Sequence, residues 1–158
     1  MRVSCLFCFQ LRLYGKIGKM KPYYVDVGGK HMIVKQVTVR VENREGKLKE
    51  VMDLLGRENI NVEALSMADT VTRLILPEPE QVAEILKKHH YQAELTDVLR
   101  IRIPSRAGVL AQMLMAFAGE GINVEYMYAF ATGKGDEMIL RPSDVEKADR
   151  LLGEFMED

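Results

Sequence analysis

Two near-identical hexapeptides, ENINVE at residues 58–63 and EGINVE at 120–125, constrain this chain more than any other feature. A shift of 62 residues, 120 minus 58, superimposes them. The same shift lays Arg40 on Arg102, Arg44 on Arg106, Gly46 on Gly108 and Leu48 on Leu110. An echo held in register through a strand-like stretch, a loop and a helix-like stretch indicates one supersecondary unit built twice. With 158 residues, the chain has room for two such units with usable cores.

The first copy opens at Ile33 with IVKQVTVRVE, which alternates Val37, Val39 and Val41 against Thr38 and Arg40 and so predicts a half-buried strand. After the loop NREG, Leu48, Val51, Met52 and Leu55 take the spacing of an amphipathic helix; Leu110, Met113, Leu114 and Phe117 repeat it. Asn59 and Gly121 stand where these helices should end, and both residue types tolerate the left-handed conformation that closes a helix. INVEALSMA and INVEYMYAF then read as strands. Asp69 and Thr70 turn the first copy into VTRLIL, and the longer TGKG turns the second into DEMIL, giving two hairpins.

A proline, Pro77 or Pro142, precedes a second helix in each copy. Val82, Ile85, Leu86 and His89 share one face of the first, matched by Ala148, Leu151, Leu152 and Phe155 in the second. YQAELTD closes the first unit and runs directly into VLRIRIP, the opening strand of the second. The second unit lacks a closing strand of its own, and a partner chain or the N-terminal extension is expected to fill that place. The predicted fold is α+β: two tandem ferredoxin-like βαββαβ units, with antiparallel sheets and helices on one face. Residues 33–96 and 97–158 form the units, and residues 1–32 precede them as an extension outside the fold.

Charge separates these parts. Residues 1–32 carry six Lys or Arg against Asp26 alone, whereas the remainder carries 16 against 22 acidic residues. An acidic body argues against a nucleic-acid partner, whose phosphates are met by clustered cations. VTRLIL and DEMIL also lack the stacking aromatics that an RNA-binding sheet of this class displays. No apolar run approaches the roughly 18 residues of a membrane span, so a cytoplasmic protein is expected. The segment MRVSCLFCFQLRLYG is weakly leader-like but has no small-residue cleavage site. Cys5 and Cys8 form a CxxC without a second ligand pair, so no metal is expected. Met20 and Met32 offer alternative translation starts.

Catalysis finds no support in the sequence. The three histidines are His31, in the extension, and His89 and His90, at a helix end; no nucleophile or acid partners them in a recognisable motif. His89 is expected to pack and His90 to face water. The informative positions are instead ENREGKL and PSRAGVL, where the first strand of each unit meets its first helix. A helix start presents unpaired N–H groups and partial positive charge to an anion, and Gly46 and Gly108 leave room for close approach. The competing reading is structural: a tight turn at each glycine, with Asn43 and Ser105 capping the helices. Asn61 and Asn123, at the second strands, either satisfy loop backbone or bind a ligand. Glu63 and Glu125 read as solvated charges.

VRVENREGKLKEVMDLLGRENINVEALSMAD and IRIPSRAGVLAQMLMAFAGEGINVEYMYAF together resemble the tandem ACT-domain proteins, small stand-alone relatives of regulatory domains in amino-acid metabolism. The resemblance spans about residues 33–155. It implies a non-catalytic unit that needs no cofactor and binds an amino acid or similar carboxylate at the glycine loop, where two units pair. Carried onto this chain, the loop positions are Asn43, Gly46, Lys47 and Leu48, then Ser105, Gly108, Val109 and Leu110; the facing strand positions are Asn61, Val62, Asn123 and Val124. Where the family commonly has proline before the loop glycine, this chain has Glu45 and Ala107. The implied partners are the amino acid, a second copy in a homodimer and a regulated enzyme. Leu65, Met67, Tyr126, Met127 and Tyr128 put apolar groups on both faces of the second strands, which points to sheet-to-sheet packing, a homodimer or extra core. A dimerising interaction module without a small ligand is the alternative reading.

Overall fold

The computed structural model describes residues 31–102, 107–132 and 135–154. Their order is β1 (Met32–Arg40), α1 (Lys47–Arg57), β2 (Ala64–Ala68), β3 (Val71–Ile75), α2 (Pro79–Lys88), β4 (Ala93–Arg102), α3 (Val109–Gly119), β5 (Val124–Thr132), β6 (Gly135–Pro142) and α4 (Val145–Glu154). The duplicated βαββαβ pattern is therefore present. Cys5, Cys8, Ser105, the middle of the TGKG turn and Phe155 lie outside the described residues.

All six strands join in one antiparallel sheet of order β2-β3-β1-β4-β6-β5. The join lies at β4, a single ten-residue strand in which the close of the first unit continues into the opening of the second. The unit boundary at residues 96 and 97 thus falls inside one strand. Val37 pairs with Leu95, and Leu99 pairs with Ile33. The 62-residue shift carries the first pair onto the second, so a pseudo-twofold axis passes between β1 and β4 beside Lys35 and Asp97, which pair at 2.9 Å.

This symmetry shows what completes the second unit's sheet. Met32, the last residue of the expected extension, and Ile33 open β1 and pair with Arg100 and Leu99 where a closing strand would sit. Residues just before the expected start at 33 take part in the fold: Met32 opens β1, and the His31 imidazole stands 3.5 Å from Asp149 of α4.

The helices cover one face. Val37 and Val39 meet Val51, Leu54 and Leu55 of α1 and Val82, Ala83 and Leu86 of α2 in one core cluster. Leu99 and Ile101, on the same face by alternation, meet Met113 and Phe117 of α3 and Ala148 and Leu152 of α4 in a second. Burying side chains of this size stabilises by about 1.5–3 kcal/mol each relative to exposure. His89 corrects the sequence reading: it is exposed at the C-cap of α2, where the chain turns into the left-handed His90, so it cannot join the Val82–Leu86 stripe.

The helix-free face holds a third cluster. Ala64, Ile75, Val98 and Ile139 are buried there, with Val34, Tyr126, Tyr128 and Phe130 packed against them. Tyr126 of β5 hydrogen-bonds Gln36 of β1 at 2.8 Å, although β6 and β4 lie between those strands. Three strand spacings amount to about 14 Å, beyond the reach of a tyrosine across a flat sheet. The sheet must therefore coil with this face concave, bringing its two halves together. The apolar groups read on both faces of the second strands are thus partly explained within one chain by sheet-to-sheet packing, while Leu65 stays 40% exposed.

Candidate ligand-binding site

Gly46 and Gly108 are the N-caps of α1 and α3, with φ of 79° and 89° and no side-chain hydrogen bond at either cap. Glycine adopts such angles without steric penalty, and a Cβ built at either position meets nothing within 4 Å. The glycines therefore serve the backbone, and the Lys47 N–H at the start of α1 already donates to the Arg44 carbonyl at 3.2 Å. Asn43 does not cap α1, because the cap position falls three residues later, at Gly46. Asn43 is exposed, and its counterpart Ser105 lies outside the described residues.

Lys47 and Leu48 are half-buried in the first turn of α1, and the Lys47 ammonium is engaged by the Glu50 carboxylate at 2.9 Å. Val109 is buried and Leu110 half-buried at the matching positions of α3. Asn61 and Asn123 follow the far ends of these helices and are exposed, beside half-buried Val62 and Val124. An 11-residue helix spans about 16 Å, so the glycine and the asparagine of one unit stand at opposite ends of it.

Across units the arrangement differs. β1 runs antiparallel to β5, so Asn123 lies at the same end of the sheet as Gly46, and by the pseudo-twofold Asn61 shares the other end with Gly108. Side chains tie these halves together. Gln36, fully buried, donates from Nε2 to Tyr126 Oη at 2.8 Å and to Thr38 Oγ1 at 3.0 Å, and its Oε1 accepts from Tyr128 Oη at 3.1 Å. Arg73 of β3 stacks 4.1 Å from the Tyr126 ring centre. Burial, with a smaller contribution from Tyr126, pushes the Tyr128 hydroxyl far above its ordinary value, so it stays protonated and donates.

At the opposite end the link is ionic. Glu63, two residues after Asn61, accepts from Arg100 of β4 at 2.7 Å; Glu137 bridges the guanidinium groups of Arg100 and Arg102, the latter at 2.9 Å. Burial opposes charge on Glu137, but hydrogen bonds from both arginines prevail and hold its carboxyl below the ordinary 4.5. Burial likewise works against the Arg100 charge, yet bonds to Glu63 and Glu137 raise its proton affinity. Glu63, read from sequence as a solvated charge, is thus an inter-unit partner; only the coil of the sheet reveals this. Glu125, its counterpart, sits 3.9 Å from Arg141.

A groove of about 370 Å³ opens beside Asn123 and Val124, between α3 and β5. Among the described residues no cluster of three His, Cys, Asp or Glu could hold a metal ion, and no helix is long and apolar enough to cross a membrane.

Residues 32–154 match the family model of the ACT domain pair. The chain belongs to that family. Among solved structures, the ACT pair described here is similar to protein BT0572 from Bacteroides thetaiotaomicron, at 36% identity over 78% of this chain and 89% of that one, with a TM-score of 0.72. It shares its fold with the regulatory subunit of aspartate kinase from Thermus flavus, at 18% identity, 82% and 98% coverage and a TM-score of 0.58. Aspartokinase III of E. coli, solved in complex with lysine and aspartate, shares the fold at 17% identity and a TM-score of 0.54; the match covers 82% of this chain and 33% of that enzyme. No curated protein matches the chain.

Proposed function

We propose that this ACT pair is a non-catalytic sensor that binds an amino acid, or a similar small carboxylate, at its glycine-capped helix starts and regulates amino-acid metabolism through the pairing of its units. The observation that carries this reading is the twin N-cap: Gly46 and Gly108 are both left-handed, and at neither does a described residue lie within 4 Å of where a Cβ would stand. A carboxylate there gains hydrogen bonds from first-turn amides and the favourable end of the helix dipole. One ligand set is Asn43, Gly46, Lys47 and Leu48 with Asn123 and Val124. The other is Ser105, Gly108, Val109 and Leu110 with Asn61 and Val62.

A ligand spanning two units binds their paired arrangement better than the separated one, and that affinity difference bounds the shift it can produce. The regulated enzyme reads that shift. A second copy of the chain is the expected structural partner, since among the described residues β2 and β5 each have a strand on one side only. The test is thermal unfolding of the full chain in the presence of each of the twenty amino acids. At least one should raise the melting temperature in a concentration-dependent way, as a ligand selective for the folded state must. Flat curves across the whole panel would favour the interaction module that takes no ligand.

A further inference from the structure

We infer that the ligand at the Asn123 end is an amino acid with an apolar, uncharged side chain, which lies in the groove between α3 and β5. This inference rests on the sensor reading and adds the ligand class. Leu114, Phe117 and Ala118 form one wall of the groove, and Ile122, Val124 and Met127 the other. No charged residue lines it, so a charged ligand side chain placed there would find no ion-pair partner. A volume of about 370 Å³ is at the small end of ligand pockets and suits one small molecule rather than a docked helix.

Tyr126 also lines the groove, but its hydroxyl is bonded to Gln36 and its ring is covered by Arg73. The Asn123 backbone is occupied as well, its N–H by Ser143 Oγ at 3.0 Å and its carbonyl by the Ser143 N–H at 2.8 Å. That leaves the side-chain amide of Asn123, an exposed residue that lines the groove. It offers a donor and an acceptor together, matching the carboxylate and ammonium of an amino-acid head.

The wall itself depends on an irregularity. The pairing of β5 with β6 shifts between Val124 and Tyr126, a bulge that lets Val124 share the helix-side face with Met127 while Tyr126 turns to the concave face. The Asn61 end is chemically different, with Glu63, Arg100, Arg102 and Glu137 gathered near it, and the 62-residue shift places Thr38 where that end has Arg100. The two ends therefore present different chemistry.

Melting curves of the full chain with leucine, isoleucine, valine, methionine or phenylalanine, and with lysine or aspartate, test this directly. At about a hundred times the dissociation constant, the apolar set is expected to raise the melting temperature by about 5–10 °C, and lysine and aspartate by less. Ala118→Phe places a ring in the groove from an exposed helix position; it should melt like the unliganded parent and lose the rise. Asn123→Ala, which spares the apolar walls, should also lose most of it. The inference is overturned if lysine or aspartate stabilises the parent as strongly as the apolar set. A full rise retained by Asn123→Ala, or by a folded Ala118→Phe, overturns it too. In each of those cases the sensor reading survives, whereas a panel without any rise removes both.

Discussion

Gln36→Leu is expected to destabilise the protein by about 2–4 kcal/mol. Gln36 is fully buried and bonds three hydroxyl groups: those of Tyr126 and Tyr128, from the far half of the sheet, and that of Thr38 beside it. Leucine preserves most of the volume but leaves the two tyrosine hydroxyls unpartnered in a partly buried setting, each at a desolvation penalty of about 1–3 kcal/mol. For a domain of this size, that lowers the melting temperature by roughly 5–12 °C. Adding Tyr126→Phe and Tyr128→Phe removes the stranded hydroxyls, so the triple variant should recover a large part of the loss. Urea titration followed by circular dichroism reads both changes. A neutral Gln36→Leu would mean that the polar link between the halves adds nothing to stability.

The second large effect concerns the glycine caps. Gly46→Ala and Gly108→Ala place a Cβ on a left-handed backbone, at a penalty of about 1–2 kcal/mol each. Asparagine tolerates that conformation far better, so Gly46→Asn and Gly108→Asn should nearly spare stability. Each asparagine nevertheless projects a side chain into the open space where a ligand carboxylate is expected. The Asn double variant should therefore keep its unliganded melting temperature and lose at least about tenfold in ligand affinity, equivalent to 1.4 kcal/mol or more. If the glycines serve only the turn, the same variant retains both stability and ligand affinity. Isothermal calorimetry with the amino acid that stabilises the parent most separates these outcomes.

Much of the fold was legible because it is local and repeated. The alternation through Val37 and Val39, the helix spacing and the left-handed stops at Asn59 and Gly121 each depend on a few neighbouring residues; the structure places Asn59 at φ 56° and Gly121 at φ 69°. The shared strand β4 was legible too, since YQAELTD meets VLRIRIP without a turn residue between them. The filling of the second unit's open place by the start of β1 had a signal in the alternation, which already begins at Ile33, and in the 62-residue match of Ile33 to Leu95.

The coil of the sheet left no comparable signal. Gln36 reads as a solvent-facing polar residue in an alternating strand, and only the approach of Tyr126 and Tyr128 from 90 and 92 positions away makes it core. Glu63 and Arg100 become partners by the same long-range closure. Asn43 is a favoured cap type at a plausible place, but the helix begins later because glycine itself takes the cap. His89 fits the spacing of α2 and is lost from its packed face only because the helix ends there. In the candidate site, the two glycine loops were readable as helix starts; that each lies at the same sheet end as the other unit's asparagine requires the strand directions.

The central claim is that an amino acid binds across the two units at the glycine-capped helix starts. Titration of the isotopically labelled full chain with a stabilising amino acid, followed by amide NMR, tests it most directly. The largest shifts are expected at the Gly46, Lys47 and Leu48 amides together with the Asn123 side-chain amide, or at Gly108, Val109 and Leu110 together with Asn61. Shifts that leave both glycine loops unmoved while the protein is saturated with ligand would contradict it.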